Sequence, residues 1–429
     1  MKKAIFYLTF NGVFNNTNGV GTQTKTLLQG IELNYHKLTD EFGDFELNLI
    51  VPIYNNKTWG YDKSHVLFAE NIVKQTGGRI FYIPYSIEIS DFWTVSNWRA
   101  MSYAAATTVL QNAAKYSESL VITVDPPYMH APLLIERSCN DFGVKVKSLI
   151  TMYSSTYILE QSKVSYDKLG WEYEGIASAR QHNNIHIAKI CESFATHLQQ
   201  KYGADEKSFV NYTSSLLLES EDFALFSDKE VKEILNRYSI PTDKKIVLAF
   251  GRADYVKGFD IFLNSLEKIK DKVHIVMIVS SHSQKDPIID EYKRIIRTNN
   301  ISDITLVTYY TRDLPKALSQ WSKTDIAVCP SRGDTFPNVP MEIALWAKNS
   351  GPICVTSNAD GLDEQITDGY NGYKFDITTP ESLTEVLEHT LAISSEQKTI
   401  IRKNAYEKII EERDFYKNFR ETLTHFWSK

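Results

Sequence analysis

The segment 329–351, C-P-S-R-G-D-T-F-P-N-V-P-M-E-I-A-L-W-A-K-N-S-G, constrains the fold more than any other stretch of the chain. Residues 325–329 close an apolar run of strand length. The polar stretch that follows carries prolines and a glycine and can prolong neither a strand nor a helix. Pro340 suits the first turn of a helix, and Gly351 suits the position just past its end. A strand therefore feeds a loop, and the loop feeds a helix N-terminus, whose N–H groups and dipole favour a phosphate. Asp334 and Glu342 bracket the loop. Acids are poor partners for phosphate and good ones for hydroxyl groups, and hydroxyls beside a phosphate describe a nucleotide sugar.

The rest of the chain repeats this alternation. Residues 4–9, 46–51, 79–83, 120–124 and 145–150 read as strands, with helical patterns at about 22–35, 96–116 and 132–142. Further strands are expected at 246–250, 273–279, 304–307, 325–329 and 353–356, with helices at 259–269 and throughout 397–427. Such alternation predicts an α/β protein with parallel sheets covered on both faces. The polar break S-I-P-T-D-K-K at 239–245 marks a linker. The expected division is a doubly wound domain over 1–238, a second over 239–411, and a helix at 412–429 crossing back to the first.

Ligands bind such sheets beyond the carboxyl ends of the strands, which singles out three loops. Asn18-Gly19-Val20-Gly21-Thr22 is a glycine-bearing turn between the first strand and the first helix, where backbone N–H groups can approach a phosphate. It is not G-x-G-x-x-G, so a nicotinamide dehydrogenase is disfavoured. Asp125-Pro126-Pro127-Tyr128-Met129-His130 follows the fourth strand and offers His130 to a sugar hydroxyl or a developing charge. Gly251-Arg252 through Lys257-Gly258-Phe259-Asp260 supplies two cations: Arg252 with a planar fork and Lys257 as a point charge, together suited to a diphosphate.

Composition excludes several classes. With 429 residues and 43% hydrophobic content the chain can bury two or three cores, and its formal charge of −6 argues against non-specific nucleic-acid binding. The cysteines at 139, 191, 329 and 354 lie far apart and read as reduced thiols of a cytoplasmic protein. No apolar run reaches the roughly 18 residues of a membrane helix, which leaves only peripheral membrane association open. The N-terminus lacks the pattern of a secretory signal.

These residues together resemble the retaining glycosyltransferases of family four, which have the GT-B fold. G-R-A-D-Y-V-K-G-F-D is similar to that family's G-R-x-x-x-x-K-G-x-D phosphate loop, and D-T-F-P-N-V-P-M-E to its two-acid signature with the spacing intact. Residues 361–375 resemble the segment after the signature, 190–203 the end of the first domain, and Asn18–Gly21 the first glycine loop. The resemblance implies two Rossmann-like domains facing a cleft. It also implies retaining transfer of a sugar from a nucleotide-sugar donor to a hydroxyl of a glycan or small-molecule acceptor. UDP is the family's commonest nucleotide and the one expected.

By position, Arg252 and Lys257 would hold the diphosphate, Glu342 the ribose, and Asp334 and His130 the donor sugar. Gly19, Val20, Gly21, Phe336, Pro337, Asn338 and Val339 would surround the donor. The family's route is front-face, with the leaving diphosphate helping to deprotonate the acceptor, so the protein's task is positioning and charge stabilisation. Without a D-x-D motif no metal is expected, and no cofactor, since the nucleotide sugar is a substrate. Asp334 stands where the family has Glu, shorter by one methylene, about 1.5 Å of reach. Two other readings use the same residues: a nucleotide-sugar epimerase that needs no acceptor, and a sugar-nucleotide-binding protein without catalysis.

Overall fold

The computed structural model describes residues 2–15, 19–56, 58, 60–84, 92–160, 164–281, 286–379 and 381–427. Strands β1 (Lys3–Leu8), β2 (Phe45–Pro52), β3 (Ile80–Ile83), β4 (Ser119–Val124), β5 (Val146–Thr151), β6 (Ile185–Lys189) and β7 (Phe209–Asn211) form one sheet, ordered β3-β2-β1-β4-β5-β6-β7. Strands β8 (Ile246–Arg252), β9 (His274–Ser280), β10 (Ile304–Val307), β11 (Thr324–Cys329), β12 (Ile353–Ser357) and β13 (Tyr373–Phe375) form a second, ordered β10-β9-β8-β11-β12-β13. Every pairing in both is parallel. Parallel strands need helical crossovers, and those helices cover both faces, so the central strands are mainly apolar. All six residues of β4 and of β11 are buried. The α/β class and the doubly wound parallel sheets expected from the sequence are thus present.

The chain forms two compact units, Met1–Leu217 with Arg413–Lys429, and Leu218–Glu412. The division falls about twenty residues before the expected 238, because of the helix Asp228–Arg237. Its Val231, Ile234 and Leu235 pack with Ile246 and Leu248 in the core of the second unit. The polar 239–245 break therefore joins that helix to β8 rather than two units. The helical tail breaks at Arg413–Asp414 into two helices, Ser395–Glu412 and Phe415–Trp427, the second close to the expected 412–429. Strands β6 and β7, absent from the sequence reading, are short and carry His186, Lys189 and Asn211 within them.

The helix Phe415–Trp427 is fixed in the first unit by backbone and side chain alike. Leu216 N–H donates to Arg413 O (2.8 Å), and Phe415 N–H to Leu216 O (3.2 Å). Arg420 grips Glu41 with two parallel hydrogen bonds of 2.7 and 2.6 Å. Close approach to the helix Gly19–Phe42 requires Gly30: a Cβ there would lie 2.2 Å from the Phe415 ring. Gly170, inside the helix Tyr166–Gln181, has nothing within 4 Å of its would-be Cβ. The two positions predict opposite signs. Gly30→Ala should cost about 1–3 kcal/mol through overpacking, whereas Gly170→Ala should add about 0.5–1 kcal/mol by restricting the unfolded chain. Chemical denaturation of both variants measures this, and shifts of the same sign would rule out Gly30 as a contact glycine.

Candidate active site

In the second sheet the strand order reverses between β8 and β11, so their carboxyl ends lie side by side. A crevice forms at such a reversal because the crossovers leave in opposite directions. The loops from these two strands carry the expected cations and the first acid.

After β8, Asp254 caps a single turn, Tyr255–Lys257, by accepting from Val256 N–H. Gly258 follows at φ +67°, and a Cβ there would sit 1.9 Å from Pro330 O, so only glycine lets the two loops touch. Arg332 then locks them. Its N–H donates to Val256 O (2.7 Å), its guanidinium takes both oxygens of Asp260 (2.8 and 2.5 Å) and stacks 3.9 Å above the Tyr255 ring. The aspartate of the G-R-x-x-x-x-K-G-x-D pattern is therefore a clamp for the partner loop. The sequence reading missed Arg332, because nothing in its spacing reveals the tertiary partner.

This clamp brings Lys257 Nζ onto the Asp334 carboxylate, to which Ser331 Oγ also donates. Arg252 stays half-exposed as the last residue of β8, its nearest carboxylate being Asp254 at 3.6 Å. The Asp334 backbone is held from the next strand end: its N–H donates to Asp360 Oδ2 (3.3 Å) and its carbonyl accepts from Gly361 N–H (2.9 Å). A Cβ on Gly361 would lie 1.7 Å from Thr335 O. Burial raises the Asp360 carboxyl above its ordinary range, with the Asp334 N–H opposing and the Asp334 charge reinforcing.

Phe336 is buried, Pro337 precedes the helix Asn338–Trp346, and Asn338 and Val339 form its first residues. The helix ends at Trp346, five positions before Gly351, and the four residues Ala347–Lys348–Asn349–Ser350 intervene. Glu342 lies one turn in. Burial pushes its carboxyl up to about 7; Arg312 opposes the rise and Asp222 adds to it. Arg312 and Asp222 are paired at 3.0 Å, and Trp346 Nε1 donates to Asp222 O. Tyr310 joins this group: burial raises its hydroxyl, Arg312 lowers it and Glu342 raises it. Tyr310, Arg312 and Asp222 were not foreseen. The signal for Tyr310 was the adjacent aromatic pair Tyr309-Tyr310 just beyond the carboxyl end of β10. The structure thus joins Lys257 to Asp334, while Arg252 and Glu342 have other neighbours.

In the first sheet the order reverses between β1 and β4. Gly19, Val20 and Gly21 form the opening turn of the helix Gly19–Phe42 instead of a loop, and Asn18 lies outside the described residues. His130 lies at the start of the helix Ala131–Phe142. Pro126 and Pro127 start a short turn that carries the chain away from the strand end. The His130 ring stacks on Trp171 (3.5 Å, 12°), with Nε2 2.8 Å from the Trp171 carbonyl. The end of β4 is held instead by Asp125, at φ 61° and ψ 177°, a backbone region that glycine normally occupies. Burial pushes its carboxyl to about 7, opposed by the N–H of Tyr153 (2.7 Å). No group of three or more metal-ligating side chains occurs among the described residues, and no helix there is long and apolar enough to cross a membrane.

The sequence profile of the family "glycosyl transferases group 1" matches residues 230–408. A D-inositol 3-phosphate glycosyltransferase of Xylanimonas cellulosilytica is 25% identical over 200 residues, 46% of this chain and 46% of that protein. Spore coat protein SA of Bacillus subtilis is 29% identical over 161 residues, 37% of this chain and 42% of that protein. The matched stretches thus span less than half of these relatives. Over nearly the whole length, a glycosyltransferase of Rickettsia africae superposes with a TM-score of 0.70 at 14% identity, covering 99% of this chain and 98% of that one. Anabaena HepE, solved with UDP-glucose, superposes at 0.69 and 12% identity, covering 99% and 100%. At these identities the likeness is one of fold, the GT-B architecture of two doubly wound parallel-sheet units.

The raised Glu342 carboxyl has a measurable consequence. The folded state holds this proton from the ordinary 4.5 up to about 7, so between those values it binds more protons than the unfolded chain. Stability must then fall as pH rises through that window. Glu342→Gln lacks the group, so relative to the parent it should gain stability from pH 4.5 to 7 and level off above. Denaturation midpoints of both proteins across pH 4–8 test this, and a constant difference would reject the burial of that carboxyl.

Proposed function

Because residues 230–408 match the profile of the glycosyl transferases group 1 family, we propose that the protein is a retaining glycosyltransferase. It moves a sugar from a nucleoside diphosphate donor, UDP-linked, to a hydroxyl of a glycan or small-molecule acceptor. The observation that carries this reading is the Lys257–Asp334 contact at the β8/β11 reversal. A cation and a hydroxyl-binding acid share one spot there, which is what the junction between diphosphate and sugar requires. HepE, of the same fold, binds UDP-glucose, which supports a UDP-sugar here.

On this reading the diphosphate replaces Asp334 as the partner of Lys257 and takes the Arg252 fork as well. Both cations then face charge that grows as the bond between the anomeric carbon and the phosphate oxygen breaks. Asp334, released from Lys257, accepts from the donor sugar's hydroxyls. Glu342 accepts from the ribose, and Arg312 favours its ionised form against burial. The acceptor oxygen attacks the face the phosphate leaves, and its proton passes to the departing phosphate oxygen. The protein positions the partners and excludes water.

The test is nucleotide release and product formation by the full chain with UDP-, GDP- and dTDP-sugars, each with and without candidate acceptors. Arg252→Ala and Lys257→Ala should each lower turnover by about 10²–10³-fold. Glu342→Ala should weaken binding of the free nucleoside diphosphate by about 10- to 150-fold, the loss of one charged hydrogen bond. Turnover unchanged in both cation variants would overturn the diphosphate assignment. Donor binding with no transfer to any acceptor would favour a binding protein, and an epimerised donor without acceptor an epimerase.

A further inference from the structure

Within the first unit, the helices Val95–Ala113, Ala131–Phe142 and Tyr166–Gln181 leave a groove of about 460 Å³ between them. Arg99 from the first helix and Arg137 from the second line it, both exposed. Neither makes a hydrogen bond or ion pair with any described residue. Several other arginines are engaged: Arg332 grips Asp260, Arg420 grips Glu41 and Arg312 pairs with Asp222. Two uncommitted forks aimed into one groove are the feature that calls for a ligand.

His130 forms the groove's inner wall. Its Nε2 faces the Trp171 carbonyl, which can only accept, so Nε2 carries the hydrogen and any further proton binds at Nδ1. The charged groups around that nitrogen come from all three helices: Arg99, Arg137 and Glu174, the last 3.9 Å from Nδ1. Burial first, and then the two arginines, hold the imidazole below its ordinary value, against the Trp171 carbonyl and Glu174.

We propose that this groove binds a small sugar or polyol phosphate, with the phosphate between Arg99 and Arg137. A phosphate monoester carries about −1.5 to −2 at neutral pH, which matches two guanidinium groups. A carboxylate would leave one of them uncompensated. The volume lies within the roughly 300–1,000 Å³ of small-molecule sites, more than a bare phosphate fills. Around the remainder stand Glu174 and Gln181, partners for hydroxyls, and Tyr103, 66% exposed, as a face for a sugar ring. The inference uses none of Arg252, Lys257, Asp334 and Glu342, on which the proposed donor site rests.

The imidazole is its own reporter. An anion held by Arg99 and Arg137 favours the imidazolium, so occupancy should raise the His130 titration midpoint. The experiment follows the His130 ring resonances of the full chain by NMR, at constant ionic strength, while glucose 6-phosphate, inorganic phosphate or glucose is added. Glucose 6-phosphate should shift the midpoint upward and saturably, with a dissociation constant on the order of 1 mM or below. Inorganic phosphate should bind at least about ten-fold more weakly, and glucose alone should leave the midpoint in place. Arg99→Ala/Arg137→Ala should weaken binding by at least about ten-fold. Arg137→Lys, which keeps the charge and loses the fork, should fall between, with thermal midpoints checking that each variant folds. A shift that never saturates, or one unchanged in the double variant, would overturn the site. Equal affinity for inorganic phosphate and glucose 6-phosphate would overturn the polyol part. Phosphate captured at Arg252 and Lys257 would be insensitive to Arg99 and Arg137, so the two assignments fail separately.

Discussion

The adjacency of β8 and β11 is the constraint on which the second unit's chemistry depends. The two strands are distant in sequence and parallel in space, so their carboxyl ends and outgoing loops share one spot. Lys257 and Asp334, 77 residues apart, meet for that reason alone. The meeting is tight because Gly258 removes the one atom that would hold Pro330 away, and because Arg332 fastens one loop to the other. Each of these devices is local, yet none has a purpose without the strand order. The backbones of both loops are thus held by contacts within the protein, and only the side chains of Lys257 and Asp334 have to change partners.

Burial is used selectively at the strand ends. Glu342 and Asp360 in the second unit, and Asp125 in the first, are carboxyls whose proton affinity is raised because burial outweighs the donors around them. Such groups gather at functional sites because an acid poised near neutrality can accept or donate a hydrogen bond as its partner requires. Asp334 is handled differently, with its charge met by Lys257. The acid at the donor sugar's expected position is thus kept as a counter-charge, and the one at the ribose's expected position is kept as an adjustable acceptor.

Much of this was legible in the sequence, and for a physical reason. Interior parallel strands are buried on both faces, so β1, β4 and β11 appear as mainly apolar runs, and β8 is marked by the glycine and cation at its carboxyl end. Short strands with polar residues, such as β6 and β7, carry no such mark. The cations at 252 and 257 and the acids at 334 and 342 could be read from local pattern. The partners Arg332, Arg312 and Asp222 could not, since their roles are set by which loops become neighbours. The stacking of His130 on Trp171 could not be read either, since sequence distance does not show that two prolines turn the chain between Asp125 and His130. The division at 217 was hidden because the apolar stripe of Asp228–Arg237 says that the helix covers a sheet, not which one.

The return of residues 413–427 to the first unit has a consequence for how the protein is made. Their hydrogen bonds to Leu216 and Glu41 complete a core whose other parts are translated first. The second unit, Leu218–Glu412, is in effect an insertion within the first. As the chain leaves the ribosome, the second unit has all of its own residues before the first has its last helix. The unit begun earliest is thus finished last, and until then the face of the helix Gly19–Phe42 around Gly30 stays uncovered. Exposed apolar surface of that kind is where chaperones bind and where nascent chains associate wrongly.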